Sequence, residues 1–215
     1  MRRVALLLVT LSAVPAMLQA QVCVGQAPWS SGAMKVGGSL EFGDGVTDIL
    51  GGLGFGKDKS MFVHLEGGVV TGHSDTGLLL GGGVGWELPK PLTDKLELCP
   101  VVNAQASFDY FETNQQRILG GVAVGYPLPM EGNVGVTLTG AFQLGFAHLS
   151  TDIGSCSTPG VDCSDSDFVG ELNAGAGIIF NNRISLVPAL VIPINSGGDV
   201  RFRIGVSVAV GKKGS

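Results

Sequence analysis

The sequence predicts an all-β chain, a closed antiparallel up-and-down transmembrane β-barrel of eight to ten strands, and three observations carry that prediction. Segments of apolar/polar alternation recur from residue 33 to residue 211, each closed by a turn cluster, and alternation is the period of a strand with two unlike faces. One parity of these segments is almost without charge. Glycine supplies 35 of 215 residues, over twice its usual share of about 7%, and sits inside apolar, β-branched stretches where neither a collagen repeat nor a polar linker would put it.

The chain opens with Met1-Arg2-Arg3, an apolar run from Val4 to Val14 and small residues at Ala16 and Ala20, the three-part pattern of a secretory signal over residues 1–20. A spanning helix needs about 20 apolar residues, more than residues 4–18 supply. Ala20-Gln21-Val22 before Cys23 departs from the run that precedes a lipidated cysteine. Residues 21–32 then form an N-terminal periplasmic segment, 33–211 the barrel and 212–215 a tail. Loss of Arg2 and Arg3 leaves eleven basic against 18 acidic residues, a formal charge near −7, which argues against a nucleic-acid partner.

Alternation places strands at 33–43, 46–57, 60–72, 76–88, 95–110, 116–127, 133–149, 167–181, 183–194 and 199–211. The last is the clearest, with Val200, Phe202, Ile204, Val206, Val208 and Val210 on one face and Arg201, Arg203, Gly205, Ser207 and Ala209 on the other. The count can fall to eight, because the second segment alternates poorly and Pro188 and Pro193 interrupt the ninth. Many segments exceed a common soluble strand and match the 9–11 residues that cross a bilayer with tilt. No segment has the 3.6 period of a long helix. A sheet in lipid must close on itself, because lipid cannot satisfy an open edge.

A soluble exported β-sandwich also alternates, and three patterns separate the two. Lys35, Glu41, His64, Glu66, Glu87, Glu97, Asp109, Arg117, Glu171, Arg201 and Arg203 all fall on the parity expected to line the lumen. Trp86, Tyr126 and Phe180 close strands at one end, and Phe42, Phe108, Tyr110 and Phe146 at the other, as two aromatic girdles. Small residues recur on the inward parity, as Gly81, Gly83, Gly85 and Gly121 do, which suits a narrow barrel interior.

On this pattern the chain resembles the small outer-membrane β-barrel proteins of the OmpA-like and OmpX-like kind, over roughly residues 30–211. The resemblance implies an integral outer-membrane location, outer-membrane lipid around it, and periplasmic chaperones and the barrel-assembly machinery as partners during biogenesis. It also departs from that family, since many members end in an aromatic residue and this chain ends Val210-Gly211-Lys212-Lys213-Gly214-Ser215.

Four cysteines in an exported chain read as disulfides. Cys156 and Cys163 share a Ser/Gly/Pro/Asp-rich loop and are expected to pair, which leaves Cys23 with Cys99, although four cysteines allow three connectivities. Mixed inward charge predicts a salt-bridged lumen in preference to a diffusion channel. His64 with Glu66 reads as a lumen pair and His73 as an interfacial residue, with no ligand set for a metal and no cofactor expected. The run Gly81–Gly85 is followed by Trp86 and no helix, so it is not a phosphate loop.

The sharpest catalytic hint is His148-Leu149-Ser150, with both polar side chains on the outward parity. A histidine can activate a serine when a third group orients the imidazole, and this spacing resembles the outer-membrane lipid A deacylases, small barrels whose catalytic residues face lipid. Thr151 stands where that family usually has Asn, and the carboxylate of Glu171 falls on the inward parity. The expectation is therefore a non-enzymatic envelope barrel, with a lipid A esterase, a small channel and a soluble ligand-binding β-protein as alternatives.

Overall fold

A computed structural model describes residues 34–43, 45–57, 61–73, 75–88, 96–110, 113–130, 132–151, 164–181, 183–195 and 198–210. The expected leader, N-terminal segment and tail lie outside these residues. Ten strands form: β1 Met34–Gly43, β2 Val46–Lys57, β3 Met61–Gly72, β4 Asp75–Trp86, β5 Glu97–Tyr110, β6 Thr113–Leu128, β7 Val134–Thr151, β8 Ser164–Phe180, β9 Ile184–Ile194 and β10 Arg201–Val210. Each pairs antiparallel with its sequence neighbours, and β10 closes onto β1. The count is therefore ten and not eight.

An even strand number brings the start of β1 and the end of β10 to one end, here the lower end. The hairpins β1–β2, β3–β4, β5–β6, β7–β8 and β9–β10 connect at the upper end. At the seam Glu41 faces Arg203 and Phe42 faces Phe202.

The strand that alternated poorly in sequence keeps strict parity. Opposite Glu41 and Ser39 of β1 stand Asp48 and Leu50 of β2, so the even residues of β2 point inward and its glycines had hidden the pattern. β9 runs unbroken through both prolines, yet the β8–β9 ladder skips Ala176 and Gly177 beside Pro188, which has no N–H to donate.

One local irregularity was not foreseen. The β5–β6 register shifts between Ser107 and Tyr110, and Asp109 there has φ 58°. This bulge leaves Asp109 exposed at the upper end, outside the paired positions of the β5–β6 ladder. Glu87 follows the last residue of β4 and Glu97 begins β5, so both sit at the lower end.

Side chains fill the interior. Phe62, Cys99, Val101, Ala123 and Ala141 make one buried apolar cluster toward the lower end. Leu50, Val70 and Leu79, with Val46 against them, make a second on β2–β4. Between β6 and β7 the backbones approach closely at Gly121 and Gly145, where a methyl group would press on the carbonyl oxygens of Phe142 and Ile118. Only glycine allows that approach.

The outside is the reverse. The exposed large apolar residues include Leu40, Ile49, Leu65, Leu80, Leu138, Phe142, Leu172, Leu190 and Val206. Trp86, Tyr126 and Phe180 stand exposed at the lower end, and Phe42 and Phe146 at the upper end, where Phe168 and Phe202 join them. Phe108 is half-buried, and Tyr110 pairs with Thr113 beyond the bulge. Among the described residues, no outward strand position between these two rings carries Asp, Glu, Lys or Arg.

Candidate functional site

Two polar constellations stand out, one inside the barrel and one on its upper outer wall. The inner one starts from Glu171 on β8. Its Oε1 lies 2.6 Å from Arg117 Nη1 of β6 and 2.7 Å from Arg201 Nη2 of β10. Arg201 also reaches Glu41 of β1, with Nη1 2.6 Å from Oε1, and Arg203 pairs with the other oxygen of Glu41, Nε donating at 2.5 Å. Arg117 Nε donates to Gln105 Oε1 at 2.7 Å.

Five residues from four strands thus form a chain of charges across the lumen, and Gln105 carries it to a fifth strand. The carboxylates are the buried members, with side-chain exposures of 3% for Glu41 and 9% for Glu171, while Arg117 and Arg201 keep 21% and 24%. Arginine suits this place because its planar fork serves two carboxylates at once.

Neutral polar groups surround the charges. Asn103 donates to Gln143 Oε1 at 2.9 Å, and the Ser185 and Ser207 hydroxyls share a hydrogen bond of 2.6 Å. A cavity of about 50 Å³ lies among His64, Glu66, Asn103, Gln143, Glu171 and Arg203, a size that admits water. His64 is 3% exposed and stacks on Phe62 with ring centroids 6.1 Å apart. Lys35 is also buried, toward the lower end. Above the charge chain the lumen widens into recesses of about 170 and 290 Å³ that share Val46, Gln115, Arg117 and Arg201.

Sequence reading missed Asp48, Gln105, Asn103 and Gln143. Inward parity marks all four, but uncharged side chains add no charge pattern to single them out, and the glycines of β2 mask the parity of Asp48.

The outer constellation lies where β6, β7 and β8, at 16, 18 and 17 residues, extend beyond strands such as β1 and β10, at 10 each. Outward positions there turn polar: Asn114, Gln116, His148, Ser150, Ser164 and Ser166. His148 Nδ1 and Ser166 Oγ share a hydrogen bond of 2.9 Å, and Ser150 Oγ donates to the Asn114 carbonyl at 3.4 Å. His148 thus bonds across strands to Ser166, while Ser150, its partner in the catalytic alternative, bonds to the Asn114 carbonyl. Directly opposed residues stand about 4.5–5.5 Å apart, whereas residues two apart on a strand are about 6.6 Å apart. Below this patch Phe146 and Phe168 meet edge to face at 5.6 Å.

Cys99 is fully buried and is not a free thiol. Cys23, Cys156 and Cys163 lie outside the described residues. No cluster of three metal-ligating side chains occurs among the described residues.

No family model matches the chain, and no curated protein matches it. Among solved structures it is similar to a bacterial polysaccharide outer membrane secretin, at 9% identity and TM-score 0.43, over 77% of this chain. The chain spans 57% of that protein's length. It is also similar to Ail, the attachment invasion locus protein of Yersinia pestis, at 12% identity and TM-score 0.38, over 82% of this chain and 95% of that one. A third similarity is to the outer membrane enzyme PagL, at 13% identity and TM-score 0.38, over 82% of this chain and 99% of that one.

Proposed function

We propose that the chain is an integral barrel of a bacterial outer membrane, closed to diffusion, that serves the envelope as a structural or surface-interaction protein and not as an enzyme. The observation that supports this most is the inversion of the barrel: charge inside, and an outer wall of exposed apolar side chains bounded by two aromatic rings. In water such a wall would drive aggregation, since soluble monomers rarely expose apolar patches beyond a few hundred Å². In lipid it is the favoured surface.

The chain of ion pairs across the lumen and the two buried apolar clusters support a closed lumen. The extended β6–β8 edge at the upper end is then the surface available to partners. The test is fractionation of the full chain followed by gel electrophoresis with and without boiling. The expected result is release by detergent only, with a heat-dependent mobility shift. Release by osmotic shock or salt without detergent would refute the proposal.

A further inference from the structure

A lipid-shaped site runs diagonally up the outer wall. Its lower part is a groove of about 690 Å³ across β3–β6, floored by Gly82, Ala104 and Ala106 and walled by Leu65, Leu80 and Ile118. That volume falls within the range of about 300–1,000 Å³ typical of small-molecule sites. Its upper edge is Gln116.

Register continues the groove into the polar rim. Leu80 faces Ala106, Ala106 faces Gln116, Gln116 faces His148 and His148 faces Ser166, all on the outward parity. Tilt makes such rows climb. The row that begins at Val36, near the lower end of β1, passes Leu53, Leu65, Gly82, Ala104 and Ile118 and arrives at Phe146 in the upper ring. Four strand spacings of about 4.8 Å at a tilt of about 40° raise the row from Leu80 to Ser166 by roughly 12 Å. It therefore leads from the apolar band to the level of lipid headgroups.

We infer that this wall binds one outer-leaflet lipid with a saccharide headgroup, its acyl chain in the groove and its hydroxyls on Gln116, His148 and Ser166. The inference rests on the membrane location proposed above. Amides and hydroxyls both donate and accept, as sugar hydroxyls do, and among the described residues no outward Arg or Lys stands there to hold a phosphate. The next row, Asn114, Ser150 and Ser164, is of the same neutral kind. Any acyl chain fits an apolar groove in a bilayer, where burial from water no longer drives association. The polar row must therefore provide the selectivity.

The experiment places the detergent-extracted full chain in nanodiscs with equal amounts of phosphatidylethanolamine, phosphatidylglycerol and a monoglucosyl diacylglycerol carrying the same acyl chains. Lipid retained on the protein is then measured by native mass spectrometry. The expected result is roughly tenfold enrichment of the glucosyl lipid over either phospholipid, lost in Gln116→Leu and in Ala104→Leu. Gln116→Leu leaves the groove empty, which keeps the test independent of any folding defect in Ala104→Leu. Equal retention of the three lipids, enrichment of a phospholipid, or enrichment that survives Gln116→Leu would overturn the inference and leave the membrane barrel standing. A chain that fails to enter nanodiscs at all overturns both.

Discussion

Replacing Glu171 by Leu tests whether the charge chain holds the lumen together. The substitution removes the acceptor of two guanidinium contacts, at 2.6 Å to Arg117 and 2.7 Å to Arg201, from a carboxylate with 9% of its side chain exposed. Removing one partner of a buried ion pair costs about 3–5 kcal/mol. Two facts reduce this here. Both arginines keep about a fifth of their surface in solvent, and each retains another acceptor, Gln105 for Arg117 and Glu41 for Arg201. The expected loss is therefore about 2–4 kcal/mol. Glu171→Gln preserves volume and one carbonyl acceptor and is expected to lose about 1–2 kcal/mol. The assay is a urea titration of protein folded into lipid vesicles, read as the fraction of heat-shifting band. Adding Arg117→Leu to Glu171→Leu should cost less than the sum of the two single changes by more than about 1 kcal/mol. A loss below about 0.5 kcal/mol for Glu171→Leu, or strict additivity in the double variant, would refute the reasoning.

Three further outcomes are expected. Val206→Arg, outward and midway along β10, should lower barrel stability by about 2–4 kcal/mol, whereas Val210→Arg at the strand's end should lower it by no more than about 1 kcal/mol; paired urea titrations in vesicles check both. Gly121→Val should leave little heat-shifting band on refolding, because its side chain would meet the Phe142 carbonyl oxygen. In planar bilayers the unaltered protein should show no discrete conductance steps, and Arg117→Ala with Arg201→Ala should raise the current; open-pore steps in the unaltered protein would contradict a closed lumen.

The closed antiparallel barrel was legible because a period of two marks every strand, and most boundaries, such as 46–57 and 134–151 against an expected 133–149, fell within one or two residues. Three things were not legible, each for a physical reason. The bulge at Asp109 shifts the ladder register with a positive φ, and no local residue pattern announces it. Ion partners are chosen in three dimensions: Arg203 meets Glu41 across 162 residues and Arg117 meets Glu171 across 54. The third is the partner of His148. Sequence proximity suggested Ser150, while pairing of β7 with β8 set Ser166 directly opposite.

The contact between Arg203 and Glu41 bears on how the cylinder is zipped shut. A hairpin's tight connection dictates the alignment of its two strands, but β1 and β10 share no connection. Sliding one past the other by a single residue would turn every oily side chain to the wrong side and is forbidden outright. Sliding by two keeps the facing pattern intact, so greasiness alone cannot reject it. A shift that set Glu41 opposite Gly205 would put Arg203 in the diagonal place Arg201 holds now and move Arg201 two residues further off, leaving the buried carboxylate one guanidinium where the observed register gives it two. This pair is thus placed to proofread the final join and, through it, the girth of the finished cylinder.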